Sequence, residues 1–136
     1  MSYMLDTNIC IYIIKKKPSC VLEKMQKHME DGLCISSITL AELKHGVFAS
    51  AAVERNSIAL NQFLSIIDIL DYDDEAAIEY GKIAADLKRK GMPIGIMDAL
   101  IASHALATGK TLVTNNIKEF ERVVTLQIDN WVIEEV

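Results

Sequence analysis

Apolar residues in this chain fall into short unbroken runs, separated by longer stretches in which they recur every three or four positions. Tyr3, Met4 and Leu5 form the first run, broken by Asp6-Thr7-Asn8, the pattern of a strand ending in a polar turn. Residues 9–14 are apolar again and stop at Lys15-Lys16-Lys17-Pro18. A short helix is expected there, with strand as its competitor because isoleucine dominates. Val21, Leu22, Met25 and Met29 give 21–29 a helical stripe, and 33–36 reads as a second strand opening into a helix over 39–48. Ile58, Leu60, Phe63 and Leu64 mark a helix within 51–64, and 66–70 a third strand. Asp73 or Asp74 caps a helix running to Lys90, and Gly91 closes it. After a loop at 91–95, the pattern predicts a helix over 98–107, a strand over 110–114, a turn at Asn115-Asn116 and a last strand within 126–132. Short strands alternating with helices predict an α/β domain, a mostly parallel central sheet flanked by helices.

At 136 residues and 15.1 kDa the chain suits one domain over 1–136. Hydrophobic residues make up 51%, which supplies a core and rules out disorder as the main state. No run of eighteen apolar residues occurs, and no basic segment followed by an apolar stretch opens the chain. Neither a membrane span nor a secretory signal is expected. Cys10, Cys20 and Cys34 are odd in number and lack CxxC spacing, so buried thiols in a reducing cytoplasm fit better than disulfides or a zinc knot. The net charge of −5 disfavours a protein that merely coats a phosphate backbone. It leaves room for a nuclease, whose metal site needs carboxylates, and for a basic protein partner.

In parallel α/β sheets ligands bind beyond the carboxyl ends of the strands. Asp6 follows the first predicted strand, Glu42 lies one turn into the helix after the second, and Asp98 opens a helix. Asn116 and Glu119 follow the strand over 110–114. Converging carboxylates repel unless a cation neutralises them, and a set without histidine or cysteine suits Mg²⁺ or Mn²⁺ rather than zinc. Each residue also has a plain structural role available. Asp6-Thr7-Asn8 suits a tight turn, Thr39-x-x-Glu42 and Asn116-x-x-Glu119 have the form of capping boxes, and Asp98 suits the start of any helix.

Taken together, Tyr3-Met4-Leu5-Asp6-Thr7-Asn8, Ser36-Ser37-Ile38-Thr39-Leu40-Ala41-Glu42-Leu43, Pro93-Ile94-Gly95-x-x-Asp98 and Val113-Thr114-Asn115-Asn116-x-x-Glu119-Phe120 resemble the PIN-domain ribonucleases. Among these, the blocks resemble the VapC toxins of bacterial type II toxin–antitoxin pairs. The resemblance spans nearly the whole chain and includes Asp129-Asn130-Trp131. It implies a PIN-like fold and a Mg²⁺-dependent endoribonuclease, with Mn²⁺ able to substitute. Asp6, Glu42 and Asp98 would form its carboxylate core, and Glu119 would be a fourth acid for a second ion or the attacking water. Thr7, Asn8, Thr114 and Asn116 would lend polar support; many relatives carry aspartate where this chain has Asn116. Also implied are a cognate antitoxin laid across the acidic cleft, a homodimer, promoter DNA bound only through the antitoxin, and initiator tRNA cut in the anticodon stem-loop. Water as nucleophile would leave 5′-phosphate and 3′-hydroxyl ends.

Lys44, Lys88, Arg89 and Lys90 are the candidate RNA contacts, with Lys15 to Lys17 and His45 as further local basic groups. His104 reads as packing or polar-edge support. The three histidines make no convincing acid–base pair, so a cyclic-phosphate ribonuclease is not expected. The competing readings are a structure-specific DNA nuclease and a catalytically silent PIN-like binding module. A phosphoacceptor of the response-regulator kind would need an early acidic pair and a later lysine at a strand end, which are missing.

Overall fold

The computed structural model describes residues 2–132. The first strand, β1 (Tyr3–Leu5), is followed by α1 (Thr7–Lys15), α2 (Ser19–Lys27) and a 3₁₀ turn over Met29–Asp31. Then come β2 (Leu33–Ser36), α3 (Ser37–Phe48), α4 (Val53–Leu64), β3 (Asp68–Leu70) and α5 (Asp74–Arg89). The chain continues through α6 (Ile96–Ala107), β4 (Thr111–Val113), α7 (Ile117–Phe120) and β5 (Ile128–Asp129). The five strands form one sheet in the order β3-β2-β1-β4-β5, with every pairing parallel.

Strand β1 runs down the middle, with Tyr3 beside Leu33 on one flank and Thr111 on the other. Buried on both faces, β1, β2 and β4 read as apolar runs rather than alternating strands. Their alternation nevertheless divides the core. Leu5, Ile35 and Val113 point to the layer built by α1 to α4, where Ile9, Ile13, Leu43, Leu60 and Phe63 meet them. Met4, Cys34 and Leu112 point the other way, onto Ile83, Leu87, Ile101 and Phe120. The buried alanines of α6, at 99, 102 and 105, let that helix lie close to its neighbours.

Residues 9–14 are helical despite their isoleucines. Asp6 caps α1 by accepting the Ile9 N–H at 2.9 Å, and Ile9, Cys10 and Ile13 fall on the one face that meets the sheet. Tertiary burial outweighs the modest helix cost of β-branching. The end of α5 is as expected: Gly91, at φ 67°, lets its N–H reach the Lys88 carbonyl while the Met92 N–H reaches Leu87 at 2.9 Å. Most boundaries moved by one or two residues, and three of the shifts bear on the site or the sheet. Ser36, rather than Thr39, caps α3 through the Ile38 N–H at 3.0 Å, so this helix begins at Ser37 and the Thr39–Glu42 capping box does not form. Helix α6 begins at Ile96, two residues before the expected Asp98. The last strand shrinks to Ile128–Asp129, and a short helix, α7, follows the Asn115-Asn116 turn where only the capping-box form of Asn116-x-x-Glu119 hints at one.

Ser36 also joins the two layers. Its hydroxyl lies 2.7 Å from Nδ1 of His104, which is 1% exposed. With Oγ already accepting from Ile38, the hydroxyl hydrogen is free for an unprotonated Nδ1. Burial pushes the His104 pKa below 6.5, against the opposing pull of Asp73 and Asp71. The unfolded chain therefore takes up a proton that the fold resists. The contribution of neutral His104 to stability should be fully present above about pH 6.5 and decline as pH falls below it, opposite in sign to that of a carboxylate with a raised pKa. Urea unfolding at pH 7.5 and 5.5 checks this: His104→Gln should be less stable at pH 7.5 but show a smaller loss between the two pH values. An equal loss in both proteins would remove His104 as the cause.

Candidate active site

The chain winds from β1 to β2 and β3 on one side, then returns to β4 and β5 on the other. This reversal opens a crevice at the carboxyl ends of β1 and β4, where α/β sheets take their ligands. Asp6 leaves β1 at that point, and its N–H donates to the Val113 carbonyl of β4 at 3.0 Å. Thr114 leaves β4 beside it.

Asp6 is 5% exposed. One carboxylate oxygen accepts from Ile9, and the Thr114 side chain and the Asn8 backbone also favour its charged form. Burial raises its pKa first of all; these groups oppose the rise, and the Glu42 charge adds to it. Glu42, one turn into α3, accepts the Thr7 hydroxyl at 2.6 Å. Thr7 also reaches Thr39, at 3.4 Å, a residue to which the sequence reading gave no role in the site. The Asn8 side chain is exposed, so only its backbone serves Asp6.

A second pair lies at the start of α6. Gly95 precedes the helix, and its N–H donates to Glu119 Oε1 at 2.7 Å. A Cβ at Gly95 would stand 3.5 Å from that oxygen and 3.6 Å from Asp98 Oδ2, so both carboxylates close on one bare backbone position. The other Glu119 oxygen accepts from the Asn116 side-chain amide at 2.6 Å. Asn116 thus braces Glu119 rather than capping α7, and it does so with an amide hydrogen that an ionised aspartate lacks. The Asp98 pKa is pushed up to about 7, by burial first, then by hydrogen bonding to and repulsion from Glu119, and by the Asp6 and Glu42 charges. The Glu119 pKa is held low, chiefly by the Gly95 N–H.

Asp6 with Glu42, and Asp98 with Glu119, therefore make two carboxylate pairs within electrostatic reach of each other. Among the described residues no three Asp, Glu, His or Cys side chains stand close enough to be a ready-made metal cluster. The donor set still fits a hard divalent cation. It offers only oxygens, and the mutual repulsion felt at Asp98 is what a cation relieves.

The basic candidates lie apart from the acids in different ways. Lys88, Arg89 and Lys90 are exposed at the end of α5, just before the 91–95 loop, although Lys90 is paired with Asp86 at 2.9 Å. Lys44 follows Glu42 by two residues, about 200° further round α3, so the two leave the helix in different directions. Beside the acids, α1, α3 and α4 frame a groove of about 330 Å³, lined by Ile11, Ile14, Val47 and Leu60, with Lys15 and Glu42 at its polar margin. Among the described residues no helix is long and apolar enough to cross a membrane.

Comparison with known proteins gives a consistent result. The PIN domain family model matches residues 3–126. The tRNA(fMet)-specific endonuclease VapC of Salmonella typhimurium is 47% identical over 131 residues, covering 96% of this chain and 98% of that protein. Ribonuclease VapC2 of Rickettsia felis is 46% identical over 132 residues, covering 96% and 98%. Among solved structures, VapBC2 from Rickettsia felis bound to a promoter DNA fragment matches with a TM-score of 0.92 at 45% identity, covering 96% of this chain and 99% of that one. DNA-bound VapBC from Salmonella typhimurium matches with a TM-score of 0.91 at 46% identity, covering 96% and 98%.

Proposed function

This chain belongs to the PIN-domain family as a VapC-like ribonuclease toxin, and from that premise we propose that it is a Mg²⁺-dependent endoribonuclease that cuts initiator tRNA in the anticodon stem-loop. The observation that supports the metal-dependent reading is that two carboxylate pairs, Asp6 with Glu42 and Asp98 with Glu119, lie within electrostatic reach of each other near the sheet's topological switch point. The substrate rests on relatives from Salmonella typhimurium and Shigella flexneri, both described as tRNA(fMet)-specific. Residues 1–136 act as one nuclease unit in the cytoplasm, where that substrate is found.

Asp6, Glu42 and Asp98 would hold Mg²⁺ or Mn²⁺, with Glu119 as a fourth acid beside Asp98. When bound, the ion lowers the pKa of water and neutralises charge on the phosphate. The protein's own contribution is to fix the donors. The Ile9 N–H and Thr114 orient Asp6, Thr7 takes one oxygen of Glu42, and Gly95 with Asn116 fixes Glu119. Donors held by hydrogen bonds need little rearrangement on binding. The exposed Lys88 and Arg89, beside the loop that leads to Asp98, are placed to meet RNA phosphates.

Digestion of total tRNA with Mg²⁺, Mn²⁺ or EDTA, followed by mapping of cut sites and end groups, tests this reading. A discrete anticodon-stem-loop cut in initiator tRNA with a 5′-phosphate, lost in EDTA, is expected. Cleavage that survives EDTA or leaves a cyclic phosphate would overturn it. Cutting of structured DNA alone would make the protein a DNA nuclease, and metal binding without any cutting would make it a silent binding module.

The toxin would act as a homodimer. It would reach promoter DNA only through its antitoxin, a reading supported by the DNA-bound VapBC complexes of its relatives. The groove between α1, α3 and α4 supports a seat for the antitoxin: apolar side chains fill it while a basic one reaches Glu42 and the other acids. Gly46 lines this groove, and a Cβ there would meet nothing within 4 Å. Gly46→Leu should therefore fold, fill the groove and weaken antitoxin binding by at least about tenfold, on the order of 1.4 kcal/mol. Calorimetric titration with the antitoxin reads the loss, and undiminished affinity would place the antitoxin elsewhere.

A further inference from the structure

Asp98 is delivered to the crevice by the 91–95 loop, which apolar burial hardly holds. Met92 is 43% exposed and Ile96 69%, Pro93 and Gly95 are exposed, and only Ile94 packs partly against the core. A segment with so little burial moves easily unless polar contacts fix it. Beyond its helical neighbours α5 and α6, the two polar contacts this loop makes among the described residues both cross to the α7 region. Glu119 accepts the Gly95 N–H, and Arg122 Nη1 donates to the Pro93 carbonyl at 3.0 Å. Glu119 and Arg122 are three positions apart and so lie on one side of the chain's helical turn. Their base is firm, because Phe120 and Val123, at 1% and 5% exposed, are sunk in the core between and beside them.

We propose that Arg122 is a positioning residue for the nuclease reaction: by holding the Pro93 carbonyl it fixes the loop so that Gly95 meets Glu119 and Asp98 stands at the crevice. The inference rests on the nuclease function proposed above for the same site. Arg122 is half-buried and faces a backbone carbonyl, so it acts on the acids through the loop, and through its charge beside Glu119, rather than on substrate. A lysine could keep one donor to that carbonyl. A glutamine is too short to reach from the same backbone position, and alanine has no donor. Misplacing a group by about 1 Å can lower a rate on the order of a hundredfold, which sets the size of the effect.

The test compares Arg122→Ala, Arg122→Gln and Arg122→Lys with the natural protein by four readouts. These are the Gly95 amide exchange rate in metal-free protein, Mn²⁺ affinity by electron paramagnetic resonance, kcat and KM on tRNA, and the melting temperature. Arg122→Ala and Arg122→Gln should exchange Gly95 at least about tenfold faster and bind Mn²⁺ about tenfold more weakly. Their kcat should fall about 10–100-fold, with KM within about twofold and the fold retained. Arg122→Lys should stay within about threefold on every measure. Unchanged Gly95 exchange and Mn²⁺ affinity would overturn the proposal. A raised KM with intact kcat would overturn it too, by making Arg122 an RNA contact. If both neutral variants fail to fold, Arg122 is a folding residue and the proposal falls. Should the natural protein cut no RNA, the functional reading fails, while Gly95 exchange and Mn²⁺ affinity still judge the latch.

Discussion

Asp98→Asn protein is expected to lose at least about 10³-fold of its tRNA-cleavage rate while remaining folded, a loss of roughly 4 kcal/mol of transition-state stabilisation. Asparagine keeps the size of the side chain and its place in the first turn of α6, but it removes the charge. The second pair would then offer a cation only Glu119, whose two oxygens already serve Gly95 and Asn116. A divalent ion supplies several kcal/mol of charge stabilisation to phosphoryl chemistry, so weakening its hold carries most of that cost. In EDTA at pH 8 the variant should melt no lower than the natural protein, because burial and neighbouring acids already disfavour the Asp98 charge. Cleavage within tenfold of the natural rate would remove Asp98 from the catalytic set. A collapsed melting temperature would instead make it a structural residue.

Replacing Trp131 by alanine should cost about 3–5 kcal/mol of unfolding free energy, the range for emptying a large buried aromatic site. Trp131 is fully buried and packs at 5.8 Å edge-on against Tyr3 and at 5.6 Å, nearly parallel, against His28. Its indole N–H donates to Asp129 at 3.2 Å, tying the tail to β5. Strand β5 in turn holds the end of β4, where the Thr114 N–H donates to the Asp129 carbonyl at 2.9 Å. The cavity should therefore loosen Thr114, which supports Asp6, and lower cleavage at temperatures where the protein is still folded. Urea unfolding of Trp131→Ala and Trp131→Phe reads the stability, with phenylalanine losing less than alanine. A loss below about 1 kcal/mol for alanine would mean that the tail does not depend on this anchor.

Much of this architecture was legible from local signals. Central strands announce themselves as unbroken apolar runs because both of their faces are covered, and Gly91 announces a helix end because a left-handed residue is needed there. The boundaries that shifted did so where two residues compete for one role. Ser36 and Thr39 both suit a cap, and Ser36 prevailed because β2 ends at that position, while its hydroxyl also meets His104. Helix α7 leaves no periodic trace because four residues are too few for periodicity to register, and the capping-box form of Asn116-x-x-Glu119 is its one local sign. The same local ambiguity touched the candidate site. Asp6, read as either a turn residue or a catalytic acid, caps α1 while standing in the crevice, so the two readings were never exclusive.

Order and spacing along the chain were enough for the alternation of strands and helices, and for the acids that follow strand ends. Both are set by nearest neighbours and by a parallel sheet's need for helical crossovers. Folding decided which acids share a neighbour. Thr7 joins Glu42 across 35 positions, Gly95 joins Glu119 across 24, and Arg122 reaches Pro93 across 29. These contacts depend on the placing of β1 between β2 and β4 and on the burial of Phe120 in the core cluster that also holds Ile101 and Ala105. Such contacts carry no periodic trace, because a hydrogen bond depends on where two backbones meet in space rather than on the residues beside them.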